Sequence, residues 1–61
     1  MSTSIIELPS RALRVEGRAA EIAAAAAKAA EAGEMLVVKL ESGEIAYLAA
    51  DRIAAVCEDS A

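Results

Sequence analysis

Apolar and charged positions separate cleanly between Arg18 and Ala32, where five consecutive alanines, Ala23 to Ala27, sit inside a longer alanine-rich stretch. At about a hundred degrees per residue, Arg18, Glu21, Ala24, Ala25, Lys28, Glu31 and Ala32 fall on one half of a helical wheel. Ala19, Ala20, Ile22, Ala23, Ala26, Ala27, Ala29 and Ala30 fall on the other. All the charges share one half, so the pattern predicts an amphipathic helix over residues 18–32. Gly17 stands where the helix begins, Glu21 lies in the first turn where a carboxylate suits the dipole, and Gly33 fits the left-handed position that ends helices. Only Ile22 projects a large aliphatic group, so this helix lies low on a sheet and cannot fill a thick core.

A different period governs the next segment. Met35-Leu36-Val37-Val38-Lys39-Leu40-Glu41 and Glu44-Ile45-Ala46-Tyr47-Leu48 flank Ser42-Gly43, which predicts a β-hairpin over residues 35–48. With Ser42 and Gly43 as a two-residue loop, Leu40 opposes Ile45, Val38 opposes Tyr47 and Leu36 opposes Ala49 on one face. The other face then carries Met35, Val37 and Lys39 with Ala46, Leu48 and Ala50. Both faces are largely apolar, whereas a sheet with one side in water alternates apolar with polar residues. One helix covers one side only.

Ile5-Ile6-Glu7-Leu8 reads as a short strand broken by Pro9-Ser10, and Ala12-Leu13-Arg14-Val15-Glu16 alternates again with Leu13 and Val15 inward. Ala49 to Arg52 forms a corner. Ile53 to Glu58 then fits a last strand, with Cys57 as a small inward hydrophobe, or one or two helical turns capped by Asp51. Residues 59–61 read as a frayed tail. Together these elements make one domain over residues 1–61 of the α+β class: one Ala-rich helix packed on a three- to four-stranded antiparallel or mixed sheet.

Composition sharpens the mismatch between sticky surface and cover. Of the 61 residues, 57% are hydrophobic, but seventeen residues are Ala, so bulk for a core comes from a small set of branched aliphatics. A chain of this size buries only about 60% of its unfolded surface, which leaves a lone copy marginal. With one Cys and no His, an internal disulfide is impossible and a zinc site is not expected. The net charge of −4 and the single aromatic residue argue against nucleic acid, which calls for a basic stripe and stacking rings. Glu7 and Glu16 offset Arg11 and Arg14. Met1-Ser2-Thr3-Ser4 lacks a basic signal region and no run reaches the length of a membrane span, so a cytoplasmic chain without membrane contact is expected.

Matched element lengths, the Ala-saturated helix, the Ser-Gly hairpin and the lack of His and Trp resemble computationally designed small proteins, in particular a designed symmetric homo-oligomer. Cys57 and the irregular Pro9 region depart from that style. A second resemblance is to bacterial microcompartment shell domains. It runs through Ile6-Glu7, the Ala-rich helix with Lys28-Ala29-Ala30, Val37-Val38, and Asp51-Arg52-Ile53-Ala54-Ala55-Val56, in a chain shorter than a complete domain of that kind. Both resemblances imply assembly through repeated identical surfaces.

Direct chemistry is sparse. Glu41 and Glu44 face each other across the predicted turn, where solvent keeps such a pair ordinary. Cys57 has no His to activate it. The three glycines stand apart and form no phosphate loop, and Asp51, Glu58 and Asp59 do not match a calcium loop. No enzyme, cofactor, metal or small-molecule substrate is therefore expected. The expected function is structural self-assembly into a homo-oligomer, through Ala19, Ala23, Ala26, Ala27 and Ala30 on the helix and Met35, Val37, Tyr47 and Leu48 on the hairpin. The alternative is a peptide-binding adaptor that recruits an extended peptide at an exposed strand edge.

Overall fold

Pro9 and Ser10 split the N-terminal segment into a hairpin that seeds one of two sheets. The computed structural model describes residues 2–59. Strand β1 (Thr3–Glu7) pairs antiparallel with β2 (Ala12–Glu16), and the Leu8 N–H donates to the Arg11 carbonyl at 2.8 Å to close the turn between them. Helix α1 (Ala19–Ala32) follows, then the hairpin of β3 (Met35–Lys39) and β4 (Ile45–Ala49), a short 3₁₀ turn at Ala50–Arg52, and β5 (Ala55–Glu58). Strand β5 returns antiparallel to β1, giving one sheet in the order β2-β1-β5 and a second made of β3 and β4. The two meet at a single antiparallel bridge between Val15 and Leu40, beside which the Glu41 N–H donates to the Arg14 carbonyl at 3.1 Å.

The class is α+β, one helix on antiparallel sheets. Its strands are five and divided three and two among the described residues, because the break at Pro9 yields two full strands and the segment after Ala54 is extended. Of the two alternatives for residues 53–58 the strand is the one that forms, over Ala55–Glu58, and the 3₁₀ turn at Ala50–Arg52 falls in the expected corner before it.

Helix α1 starts at Ala19 and not at residue 18, since Arg18 holds an extended backbone as N-cap and offers no side-chain cap. Glu58 on β5 supplies it instead, its carboxylate accepting the Ala19 N–H at 3.2 Å, where negative charge suits the helix dipole. Gly33 ends the helix at φ 72°. The N–H of Glu34 reaches the Ala29 carbonyl at 2.8 Å and that of Gly33 the Ala30 carbonyl at 3.3 Å, the paired bonds of a Schellman ending. Only Ile22, Ala26 and Ala29 of the helix are buried, a stripe narrower than the apolar half of the wheel. Alanines at 20, 23, 27 and 30 stay exposed.

The hairpin register corrects the expected one by a single residue. Gly43 donates its N–H to the Leu40 carbonyl at 2.8 Å and Leu40 donates to the Glu44 carbonyl at 2.7 Å, so Glu41, Ser42 and Gly43 form a three-residue loop with Gly43 at φ 97°. A type I turn followed by a left-handed glycine has this form. The extra residue brings Val37 opposite Tyr47, Lys39 opposite Ile45 and Leu36 opposite Leu48. With a side-chain period of two, the slip carries Ile45, Tyr47 and Ala49 to the other face.

The core lies between helix and sheets. Ile6 and Val15 are fully buried, joined by Ile22, Ala26, Ala29, Leu36, Val38, Leu48 and Ala50, with Leu13 and Val56 packed at its margin. Ser4 is also fully buried and donates its hydroxyl to the Gly17 carbonyl at 2.7 Å, which satisfies it inside the apolar layer. Two further expectations are corrected. Cys57 is exposed because Val56, opposite Ile6, takes the inward position of β5, leaving Cys57 on the outer side opposite Ile5. Asp59, assigned to the frayed tail, is held: it accepts the Thr3 hydroxyl at 3.0 Å and lies 3.1 Å from the Arg14 guanidinium. The rest of that tail, residues 60–61, lies outside the described residues.

Candidate functional site

Alternation along each strand gives both sheets an inner and an outer face, and the outer faces differ in chemistry. On the three-stranded sheet the outer positions are Thr3, Ile5 and Glu7 of β1, Ala12, Arg14 and Glu16 of β2, and Ala55 and Cys57 of β5. Arg14 lies within ion-pair reach of Asp59 at 3.1 Å and Glu41 at 3.5 Å, and the Cys57 thiol lies 3.7 Å from a Glu7 carboxylate oxygen. That face mixes Thr3, Glu7, Arg14 and Glu16 with Ile5, Cys57 and two alanines, and among the described residues it presents no large hydrophobic side chain that is more than half exposed.

The outer face of the hairpin carries Met35, Val37 and Lys39 on β3 and Ile45, Tyr47 and Ala49 on β4. Four of these are, among the described residues, the large hydrophobic side chains most open to water: Met35 at 54%, Val37 at 54%, Ile45 at 55% and Tyr47 at 65%. Cross-strand pairing brings Val37 and Tyr47 side by side, with Met35 opposite Ala49, so they form one continuous patch. Lys39 is its only charge. Where the patch meets the helix, a hollow of about 210 Å³ is lined by Ala30, Gly33, Met35, Ala49 and Asp51, which joins the hairpin to the end of α1.

The expected contact residues distribute unevenly over this geometry. Met35, Val37 and Tyr47 share the patch, and Ala30 borders it through the hollow. Ala23 and Ala27 are exposed on α1, while Ala19 is half-buried. Leu48 at 9% and Ala26 at 8% face the chain's own core and are not available at the surface. Ile45 was missed. Its signal was Gly43: a glycine at the third loop position admits the left-handed bulge that shifts the register and turns Ile45 outward.

The candidate chemical groups are dispersed. Glu41 turns toward Arg14, and Glu44 accepts the Ser42 hydroxyl at 3.3 Å, so the two carboxylates serve separate contacts. Glu58 is engaged at the helix start and Asp59 with Arg14 and Thr3. Among the described residues no group of three or more Cys, Asp or Glu side chains is arranged to hold a metal ion, and no helix is long and apolar enough to cross a membrane. Comparison with protein-family models, with curated proteins and with solved structures gave no match.

Proposed function

We propose that this chain is a structural protein that assembles with copies of itself, burying the outer face of the β3–β4 hairpin between them. The observation that carries this is the set of four large apolar side chains, each more than half exposed, on a sheet face with one lysine. Single exposed hydrophobics are ordinary on a soluble surface, but a contiguous patch rimmed by polar residues marks a contact site.

Size supports the same conclusion. A compact monomer of 6.2 kDa exposes about 3,700 Å² by the usual scaling of surface with mass. The chain exposes 4165 Å². The excess is a few hundred Å², the scale of one interaction patch. Covering a half-exposed side chain of this type contributes about 1 kcal/mol, so the patch contributes roughly 8 kcal/mol across two copies. Association itself costs on the order of 4 to 15 kcal/mol, and the net result is near balance unless further bonds form between copies.

Light scattering coupled to gel filtration tests the proposal. The native chain is expected to elute at a multiple of 6.2 kDa and the Tyr47→Lys variant as a folded monomer. Equal masses for the two would remove the patch from the assembly.

A further inference from the structure

Edges, as well as faces, distinguish the hairpin. Leu40 donates to the Glu44 carbonyl, and hydrogen-bonded and non-bonded pairs alternate along an antiparallel ladder. Ala46 and Leu48 therefore direct their N–H and C=O groups toward β3, while Ile45, Tyr47 and Ala49 direct theirs away from it. Among the described residues no strand pairs with β4 on that side, and neither Ile45 nor Tyr47 makes a backbone bond elsewhere. Exposed edges are ordinarily blunted by lysine, proline, a bulge or an inward charge. Ile45-Ala46-Tyr47-Leu48-Ala49 contains none of these. By contrast β5, one edge of the other sheet, is shorter and ends in Glu58.

We propose that β4 pairs antiparallel with β4 of a second copy about a two-fold axis at Tyr47, an inference that rests on the self-assembly proposed above and specifies its geometry. Tyr47 then exchanges N–H and C=O bonds with the second copy's Tyr47. Ile45 stands opposite the second copy's Ala49, and Ala46 opposite its Leu48. A larger side chain faces a smaller one at each off-axis pair, and no charge meets its like.

Charge at the strand ends selects the antiparallel sense and a copy of the same chain. Glu44 precedes β4 and Arg52 follows it, and Arg52 has no ion pair among the described residues. A two-fold axis at Tyr47 brings Asp51 and Arg52 of each copy to the end where the other's Glu44 lies, so Arg52 meets an opposite charge and offsets the like charge of Asp51 at both ends. Parallel pairing would place like charges together. Beside the second half of the strand a hollow of about 390 Å³ lies between Tyr47, Ala49 and Arg52 on one side and the turn at Leu8 and Pro9 on the other, and it opens onto the unpaired edge. Ile45 and Tyr47 belong to the apolar face as well, so edge pairing merges two patches into one four-stranded apolar surface, the larger face that further copies bury in the assembly proposed above.

Removal of a single hydrogen tests this. A synthetic chain with an N-methyl group on Tyr47 loses one donor aimed away from β3 and keeps the side chain and the hairpin ladder. Its circular dichroism is expected to match the native chain, and its self-association, read by native mass spectrometry over a dilution series, to weaken about tenfold or more. In the native chain, the Tyr47 amide is expected to resist hydrogen exchange when assembled and to lose that protection on dilution together with the mass. This second readout decides the matter even if methylation disturbs the hairpin. An assembly that forms while the Tyr47 amide exchanges freely and methylation leaves its mass unchanged would overturn the edge pairing and leave the apolar face as the contact. A native chain that is monomeric at every concentration would overturn both and leave the edge open to an extended peptide.

Discussion

The two sheets rest on the same helix and are built from strands of nearly equal length, yet one ends at a finished surface and the other does not. Outside β2-β1-β5, Arg14 gathers Asp59 and Glu41, Glu7 is exposed, and Ile5, the one large aliphatic there, is half-buried among them. Outside β3–β4, Met35, Val37, Ile45 and Tyr47 meet water instead. The inner faces do not differ in this way, since Ile6, Val15, Leu36, Val38 and Leu48 are all buried. Inner-face packing is required of any folded copy, so it carries no information about partners. The contrast between the outer faces does, because a sheet that ended its life in water would gain solubility from charges at those positions and lose little stability by having them.

The largest effect that would break the comparison comes from two neighbouring residues. Leu48→Lys places a charge in the core beneath α1 and is expected to unfold the chain, a loss of more than about 4 kcal/mol. Tyr47→Lys, one position away but on the outer face, is expected to change chemical-denaturation stability of the monomer by less than about 0.5 kcal/mol while abolishing assembly. Exchanged outcomes would restore the two-residue loop and the register that goes with it.

Truncation of a core residue in the finished sheet follows in size. Ile6→Ala removes a fully buried side chain and should cost about 3 kcal/mol in urea unfolding, whereas Val37→Ala on the hairpin's outer face should leave the isolated monomer nearly unchanged. Gly43→Ala comes next. No atom lies within 4 Å of an added Cβ, so the penalty is conformational, about 1 kcal/mol for a left-handed backbone, visible as a lowered thermal midpoint. Smallest is Asp59→Asn, which weakens the contact to Arg14, itself half-exposed; a loss of under about 1 kcal/mol that shrinks further in high salt is expected from paired thermal melts.

Much of the architecture was legible because local signals agreed. Segregated charges and Gly33 marked the helix, alternation marked β2, and Pro9-Ser10 marked the break after β1. The excess of apolar surface on the hairpin was legible too, since it follows from composition at alternate positions whichever register holds. The identity of the exposed residues was not. Ser42-Gly43 suits a two-residue loop as well as the last two positions of a three-residue one, and only the hydrogen bonds of Leu40 and Gly43 distinguish them. That single residue decides whether Ile45 and Tyr47, or Ala46 and Leu48, are left outside. The anchoring of Asp59 and the outward turn of Cys57 depend on which strand β5 joins and in what register, long-range choices that the four residues Ala55 to Glu58 do not encode locally.

Sedimentation equilibrium of the unmodified chain over a wide concentration range bears most directly on the hairpin's outer face. The account predicts a mass that is an integral multiple of 6.2 kDa at high concentration and falls toward one copy on dilution while the circular dichroism of the fold persists. A single 6.2 kDa species at every concentration, cooperatively folded with Met35, Val37, Ile45 and Tyr47 in contact with water, would contradict it.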